Sequence, residues 1–149
     1  MPANTTPRFT LIGTNTSDGS TGMAPTFTTA AADYTGITAT HNKVVFTADA
    51  TNGSRLCGLR FKSIGTNVVT VARIFINNGS TPATATNNSF FAEQALPATT
   101  AIATTSTVDI DYYFPAGYVD LEPGFKIIVG LGTTVADGWV VSPILGGDF

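Results

Sequence analysis

The chain has 149 residues, a mass of 15.4 kDa and a net charge of −3, which suits one domain with its own core and is short for two. Hydrophobic residues make up 43%, which excludes a disordered polyelectrolyte, whereas charged residues make up only 11% and are largely replaced by threonine, asparagine, serine and glycine. The seven basic residues are too scattered for a strong phosphate-binding surface, and the single cysteine, Cys57, allows neither an internal disulfide nor a cysteine-based zinc site.

The sequence predicts neither export nor membrane insertion. Its first residues lack a cationic stretch followed by an apolar run, which is the pattern of a secretory signal. No stretch approaches the length of about 18 uncharged apolar residues that a membrane-spanning helix requires.

Residues 1–40 differ in composition from the remainder and predict an extended N-terminal arm before a domain at 41–149. Threonine, alanine, glycine, serine and proline dominate this arm, so it has little apolar surface with which to order itself. Two alternatives are open: the arm is disordered, or it is ordered by packing on another surface. In the second case its apolar side chains are candidate assembly contacts: Phe9, Leu11, Ile12 and Phe27.

From residue 42 onward, short runs with a period of two predict β-strands. These runs cover residues 44–48, 55–64, 68–77, 90–96, 107–114, 125–131 and 138–145. In the run 55–64, Cys57, Leu59 and Phe61 share the packed face. In the run 107–114, Asp109 and Asp111 lie opposite a face of apolar and aromatic side chains.

The turn signals and the absence of helical periodicity complete the prediction of the fold. Turn dipeptides separate the runs at Asn52-Gly53, Asn78-Gly79, Pro123-Gly124 and Asp137-Gly138. The sequence therefore predicts an all-β protein, a single antiparallel β-sandwich or jelly roll of about seven or eight strands, with a barrel as the alternative.

The sequence predicts no catalytic residue, no cofactor site and no metal site. His41 is the only histidine, and no second histidine or cysteine pair accompanies it. Asp109 and Asp111 are predicted to be the solvent face of a strand, with a cation site or a hydrolase using His41 as alternatives. The Gly130-Leu-Gly132 sequence predicts a hairpin into another strand rather than a phosphate-binding loop, because no helix is expected after it.

Aromatic residues provide one further alternative. Trp139, Tyr112, Tyr113 and Tyr118 could form a platform for sugar stacking, as in a carbohydrate-binding β-sandwich module. Aromatic rings in such folds more often anchor the core or an interface, which is the interpretation preferred here. Cys57 is predicted to be a small buried hydrophobic residue.

Three segments of the chain carry a resemblance to a known class of protein: residues 58–79, the stretch from Pro115 to Val129, and the ending from Trp139 to Phe149. Together they resemble head decoration (cement) proteins of tailed bacteriophages, which have a β-sandwich or jelly-roll body. The resemblance covers roughly residues 42–149 and provides no catalytic residue to transfer.

The resemblance implies a structural role in a virion. It implies a protein made in the host cytoplasm that binds the major capsid protein on the outside of the capsid, commonly as a trimer, and stabilises the capsid. A tail, fibre or head-appendage protein of a phage is the alternative within the same class.

Overall fold

The computed structural model describes residues 25–31 and 33–148, which form two packed antiparallel sheets. The strands are β1 (Thr26–Phe27), β2 (Lys43–Thr47), β3 (Ser54–Ser63), β4 (Thr70–Asn77), β5 (Asn88–Leu96), β6 (Asp109–Tyr113), β7 (Val119–Leu121), β8 (Lys126–Leu131) and β9 (Trp139–Asp148). Three short 3₁₀ turns lie between them, at Thr38–Thr40, Ala85–Asn87 and Pro115–Gly117. The prediction of an all-β sandwich is confirmed. None of the helices in the described part of the chain is long and apolar enough to cross a membrane.

The strand order determines which elements lie at the edges of the sandwich. The first sheet has the order β1-β9-β3-β6, with β7 also paired to β3, and the second has the order β2-β8-β4-β5. The Nζ atom of Lys43 in β2 donates a hydrogen bond to the carbonyl of Thr26 in β1 at 3.0 Å, so these two strands stack at one lateral edge. The rings of Phe91 in β5 and Phe114, which follows β6, are 5.7 Å apart, so these strands form the opposite edge.

The core lies between the sheets and is built from the inward side chains of the predicted strands. Leu59, Phe61, Ile74, Ile127 and Trp139 are all fully buried there. The predicted alternation of residues 107–114 is confirmed in part, since Ile110, Tyr112 and Phe114 pack on the core but Val108 is exposed. Residues 125–131 are buried on both faces, because Ile128 packs with Val44 and Phe75 on the outer side of the second sheet.

Strand β3 departs from the predicted alternation at one point. Leu56 is fully buried and Cys57 is half-buried, so the prediction that Cys57 belongs to the packed face was wrong. Before Gly58 the even-numbered residues of β3 face the core, and after it the odd-numbered residues do. At the same point the strand that pairs with β3 changes from β7 to β6. Any Cβ at Gly58 would lie 2.3 Å from the carbonyl oxygen of Tyr112, so the close approach of β3 and β6 requires glycine here.

Part of the predicted arm belongs to the sandwich. Phe27 is 1% exposed in the core and pairs with Trp139, so the prediction that it is an assembly contact is corrected: its ring is already covered within the chain. The backbone of Ala30 bridges to Leu131, and residues 33–42 lie over the outer face of the second sheet, where Gly36 contacts the ring of Phe75. Phe9, Leu11 and Ile12 lie outside the described residues.

Candidate functional site

The residues considered for catalysis are held apart by the fold. His41 is exposed, adopts a left-handed backbone conformation (φ 70°) and precedes β2 at one lateral edge. Asp109 and Asp111 lie on β6 at the opposite edge of the sandwich. No group of three or more histidine, cysteine or acidic residues within the described ranges is placed to hold a metal ion. The arrangement of His41 with Asp109 or Asp111 that was predicted as the hydrolase alternative is therefore not formed.

Both aspartates instead belong to a row of ion pairs on the outer face of the first sheet, termed here the ion-pair face. Three cations of β3 lie opposite three aspartates of β6 and β7 in the strand register, with shortest N–O distances of 2.6 to 2.7 Å. The pairs are Arg55–Asp120, Arg60–Asp111 and Lys62–Asp109. This face therefore contains six charges with no net charge.

Electrostatic shifts on the ion-pair face have a local cause. The bidentate hydrogen bonds that the Arg60 guanidinium donates to Asp111, at 2.7 and 2.8 Å, lower the pKa of the carboxyl and raise the pKa of Arg60. Hydrogen bonds from Arg55 lower the pKa of Asp120 in the same way. These pKa shifts thus arise from ion pairs between strands, so the carboxylates have a structural role.

The aromatic residues do not form the sugar-binding platform that was considered. Trp139 is fully buried beneath the sheet, so its ring cannot stack on a ligand. Tyr112 is half-buried, and burial raises its pKa. Tyr118 is exposed, but the Arg55 guanidinium lies 3.8 Å from its ring centroid and covers one face.

The glycine-containing segment after β8 also lacks the geometry of a phosphate site. Gly132 begins a short loop that leads directly into β9, and no helix follows. The predicted hairpin is corrected as well, because β8 and β9 belong to different sheets and the loop crosses between them. A small cleft of about 80 Å³, lined by Phe27, Thr28, Thr29, His41 and Lys43, is far below the roughly 300 Å³ of an ordinary ligand site.

Exposed apolar side chains concentrate at one end of the sandwich, termed here the apolar end. It consists of three loops that connect strands at that end, residues 64–69, 97–108 and 132–138. Five large apolar residues are exposed on it: Ile64, Val68, Val69, Ile102 and Val108. The three loops contain one ionisable residue, Asp137, which accepts a hydrogen bond from the backbone N–H of Thr66 at 2.6 Å.

A buried asparagine holds the apolar end together. The Nδ2 atom of Asn67 donates to the carbonyls of Ile64 and Gly138 and to the hydroxyl of Thr99, at 2.9 to 3.1 Å. Its Oδ1 atom accepts the backbone N–H groups of Asp137 and Gly138, at 3.1 and 2.7 Å. One side chain, 3% exposed, therefore links all three loops. Sequence reasoning missed it, because most of its partners lie far along the chain and leave no local pattern.

A second apolar surface lies along β5. Phe90 and Phe91 are 44% and 40% exposed, and the ring of Tyr34 meets that of Phe90 edge-on at 5.3 Å. Arg73 fixes Tyr34 here, since its guanidinium lies 4.0 Å from the Tyr34 ring and donates to the carbonyl of Ala31 at 3.0 Å. Tyr34, Phe90 and Arg73 therefore form one cluster on the outer face of the second sheet, whereas Phe91 faces Phe114 beside the first sheet.

Comparisons with protein-family models, curated proteins and solved structures found no match.

Proposed function

We propose that the protein is a non-enzymatic structural component of a bacteriophage virion. In this role it binds the major capsid protein on the outer surface of the capsid as a trimer and stabilises the particle. The apolar end is the observation that carries the proposal, and we assign it as the surface that contacts the capsid.

Removing the apolar end from water favours its contact with a partner. Five exposed apolar side chains on neighbouring loops form a surface whose burial against a partner is favourable, at about 25 cal/mol per Å². The only ionisable group of these loops, Asp137, is engaged within the chain, so docking this end leaves few ions to be desolvated. Because Asn67 fixes the loops to one another, binding also requires little additional ordering.

The resemblance of three segments to decoration proteins supports the same proposal. The segment 58–79 contains most of β3, the loop 64–69 and all of β4, so it includes three of the exposed apolar residues: Ile64, Val68 and Val69.

The direct experiment measures binding of purified protein to expanded capsids of the parent phage that lack it. Val69→Asp should weaken this binding by roughly tenfold or more, because docking would bury an unpaired carboxylate. Val69 is 66% exposed, so the substitution should leave the fold intact.

Ala83→Asp is the matched control, since it adds the same charge in an exposed loop at the opposite end of the sandwich. Equal binding by both variants would show that the apolar end is not the contact. Failure of the unaltered protein to bind capsids in any maturation state would overturn the proposed function itself.

A further inference from the structure

Strand β5 is the longest edge strand among the described residues, and a bulge at Phe91 and one charge, Glu93, are the features on it that discourage pairing. Open strand edges attract further strands, and proteins usually block them with short length, charge or proline. Among the described residues β5 pairs only with β4, spans nine residues and contains one charged residue, Glu93. It has no proline and no lysine, and it displays Phe90 and Phe91.

The remaining edges are blocked by recognisable features. The backbone N–H of Val141 in β9 bonds to the carbonyl of Pro25, so alternate β9 residues face the open side there. Pro143 is the next such residue and has no N–H to offer. β6 carries Asp109 and Asp111, β2 is short and begins with Lys43, and β1 and β7 have only two and three residues.

The open hydrogen-bonding groups of β5 follow from its register. The carbonyl of Val71 accepts the N–H of Gly132, so Val71 faces β8, and its neighbours Thr70 and Ala72 face β5. In the register of β4 and β5, Glu93 and Ala95 lie opposite Arg73 and Val71. Their N–H and C=O groups consequently point to the open side, where the carbonyl of Ala95 accepts a hydrogen bond from the side chain of Gln94 at 3.0 Å. Phe91 is a bulge with no partner residue in β4, so residues 92–96 are the longest part of β5 that pairs with β4 without interruption.

We infer that the open edge of β5 receives residues 8–12 of a neighbouring copy of this chain as an added antiparallel strand. This segment, Arg-Phe-Thr-Leu-Ile, alternates apolar and polar residues at Phe9, Thr10 and Leu11, as a half-buried strand does. Arg8 is the only charged side chain among residues 1–17, so the segment carries no negative charge that would repel Glu93 of β5.

The chain outside the described region is long enough to reach a neighbouring copy. Residues 1–24 join the sandwich at Pro25, beside β9 and β1, whereas β5 lies at the opposite lateral edge. The twelve residues 13–24 span at most about 40 Å, enough to reach β5 of the same chain or of an adjoining molecule, and the trimer of the proposed function selects the adjoining molecule. A donor on one side and an acceptor on the other give a head-to-tail contact, and a three-fold rotation between copies closes such contacts into a trimer. The inference rests on the trimer in the proposed function, and it identifies β5 as the strand that receives residues 8–12 of the next copy.

Disulfide trapping tests this pairing in the full chain. Two variants, Leu11→Cys and Ala95→Cys, each also carrying Cys57→Ser, are mixed and oxidised, and a Phe9→Cys variant tests the neighbouring register. We expect roughly tenfold more cross-linked heterodimer than for Leu11→Cys mixed with Ala83→Cys, because strand pairing raises the effective thiol concentration. Equal cross-linking in the two mixtures would overturn the inference.

A double variant with both cysteines in one chain separates the two possible sources of the strand. Covalent dimers and trimers on non-reducing gels would support exchange between copies. A cross-linked monomer would show that the chain covers its own edge and would refute the exchange.

A second variant tests the backbone bonds. Ala95→Pro removes an N–H that faces the open side and should lower the oligomer fraction in solution roughly tenfold, whereas Ala95→Ser keeps the N–H and should not. Unchanged mass with Ala95→Pro would refute strand addition. Because these measurements need no capsid, they fail or succeed separately from the capsid-binding experiment.

Discussion

The ion-pair face and the apolar end differ in the groups that they expose to solvent and in how their polar groups are paired. On the ion-pair face every charge meets its opposite directly across a strand pair, so this surface is satisfied within the chain and well solvated. At the apolar end the polar groups are turned inward around Asn67, and the outward side chains are aliphatic. The first surface is therefore satisfied in water, and the contrast supports the proposal that the second surface contacts another protein.

The largest expected effect comes from removing the link between the loops of the apolar end. Asn67→Ala leaves buried backbone groups of Gly138 and Ile64 without their partner and should destabilise the fold by about 3 kcal/mol. Chemical denaturation followed by circular dichroism measures this change.

The matched substitution Asn78→Ala removes an exposed asparagine whose Oδ1 atom accepts only a local N–H, that of Ser80. It should cost less than about 0.5 kcal/mol. Equal effects of the two variants would mean that Asn67 does not organise the apolar end.

An intermediate effect is expected beneath the ion-pair face. Gly58→Ala places a methyl group against the carbonyl of Tyr112, pushing β6 away from β3, and should cost about 2 kcal/mol. Thermal unfolding measures the loss, with Cys57→Ala as the control at the adjacent half-buried position. If Gly58→Ala melted like the control, the close approach of the two strands would not be required.

The smallest effect concerns the ion pairs and should appear only in acid. Hydrogen bonds from arginine lower the pKa of Asp111 and Asp120 in the folded state, so their contribution is present above the unfolded pKa of about 3.9 and is lost as the pH falls through the folded value. The melting temperature should therefore decline below about pH 4.

Asp111→Asn should flatten this decline, whereas Glu122→Gln, which removes another exposed carboxylate, should leave it unchanged. Identical pH profiles for Asp111→Asn and the unaltered protein would contradict this account. The effect should also weaken at high ionic strength, since the pairs lie at the surface.

The sequence predicted most strands because their alternation is local. All seven predicted runs correspond to strands, from β2 through β6 and then β8 and β9. β1 and β7 were missed because two or three residues are too short to show a period. The sequence also could not predict that Leu56 and not Cys57 lies on the packed face, since this follows from the close approach of β3 and β6 at Gly58.

The interaction surfaces were harder to predict than the strands. Phe27 lies in a threonine- and alanine-rich stretch, and only its pairing with Trp139 in β9 places it in the core. The apolar end assembles residues from three loops that are distant in sequence, and no local pattern shows that Val69 and Ile102 lie at the same end of the sandwich. Composition indicated a surface with few charges, but only the topology shows where the charges are concentrated.

The burial of Trp139 has a practical consequence for spectroscopy. The chain contains a single tryptophan, and its indole lies wholly inside the sandwich beside β1. Its fluorescence should be blue-shifted in the native protein and should move to longer wavelength when water enters between the sheets. Each molecule thus contains one intrinsic optical reporter of sheet separation, and because Trp139 directly follows the loop 132–138 it lies beneath the apolar end.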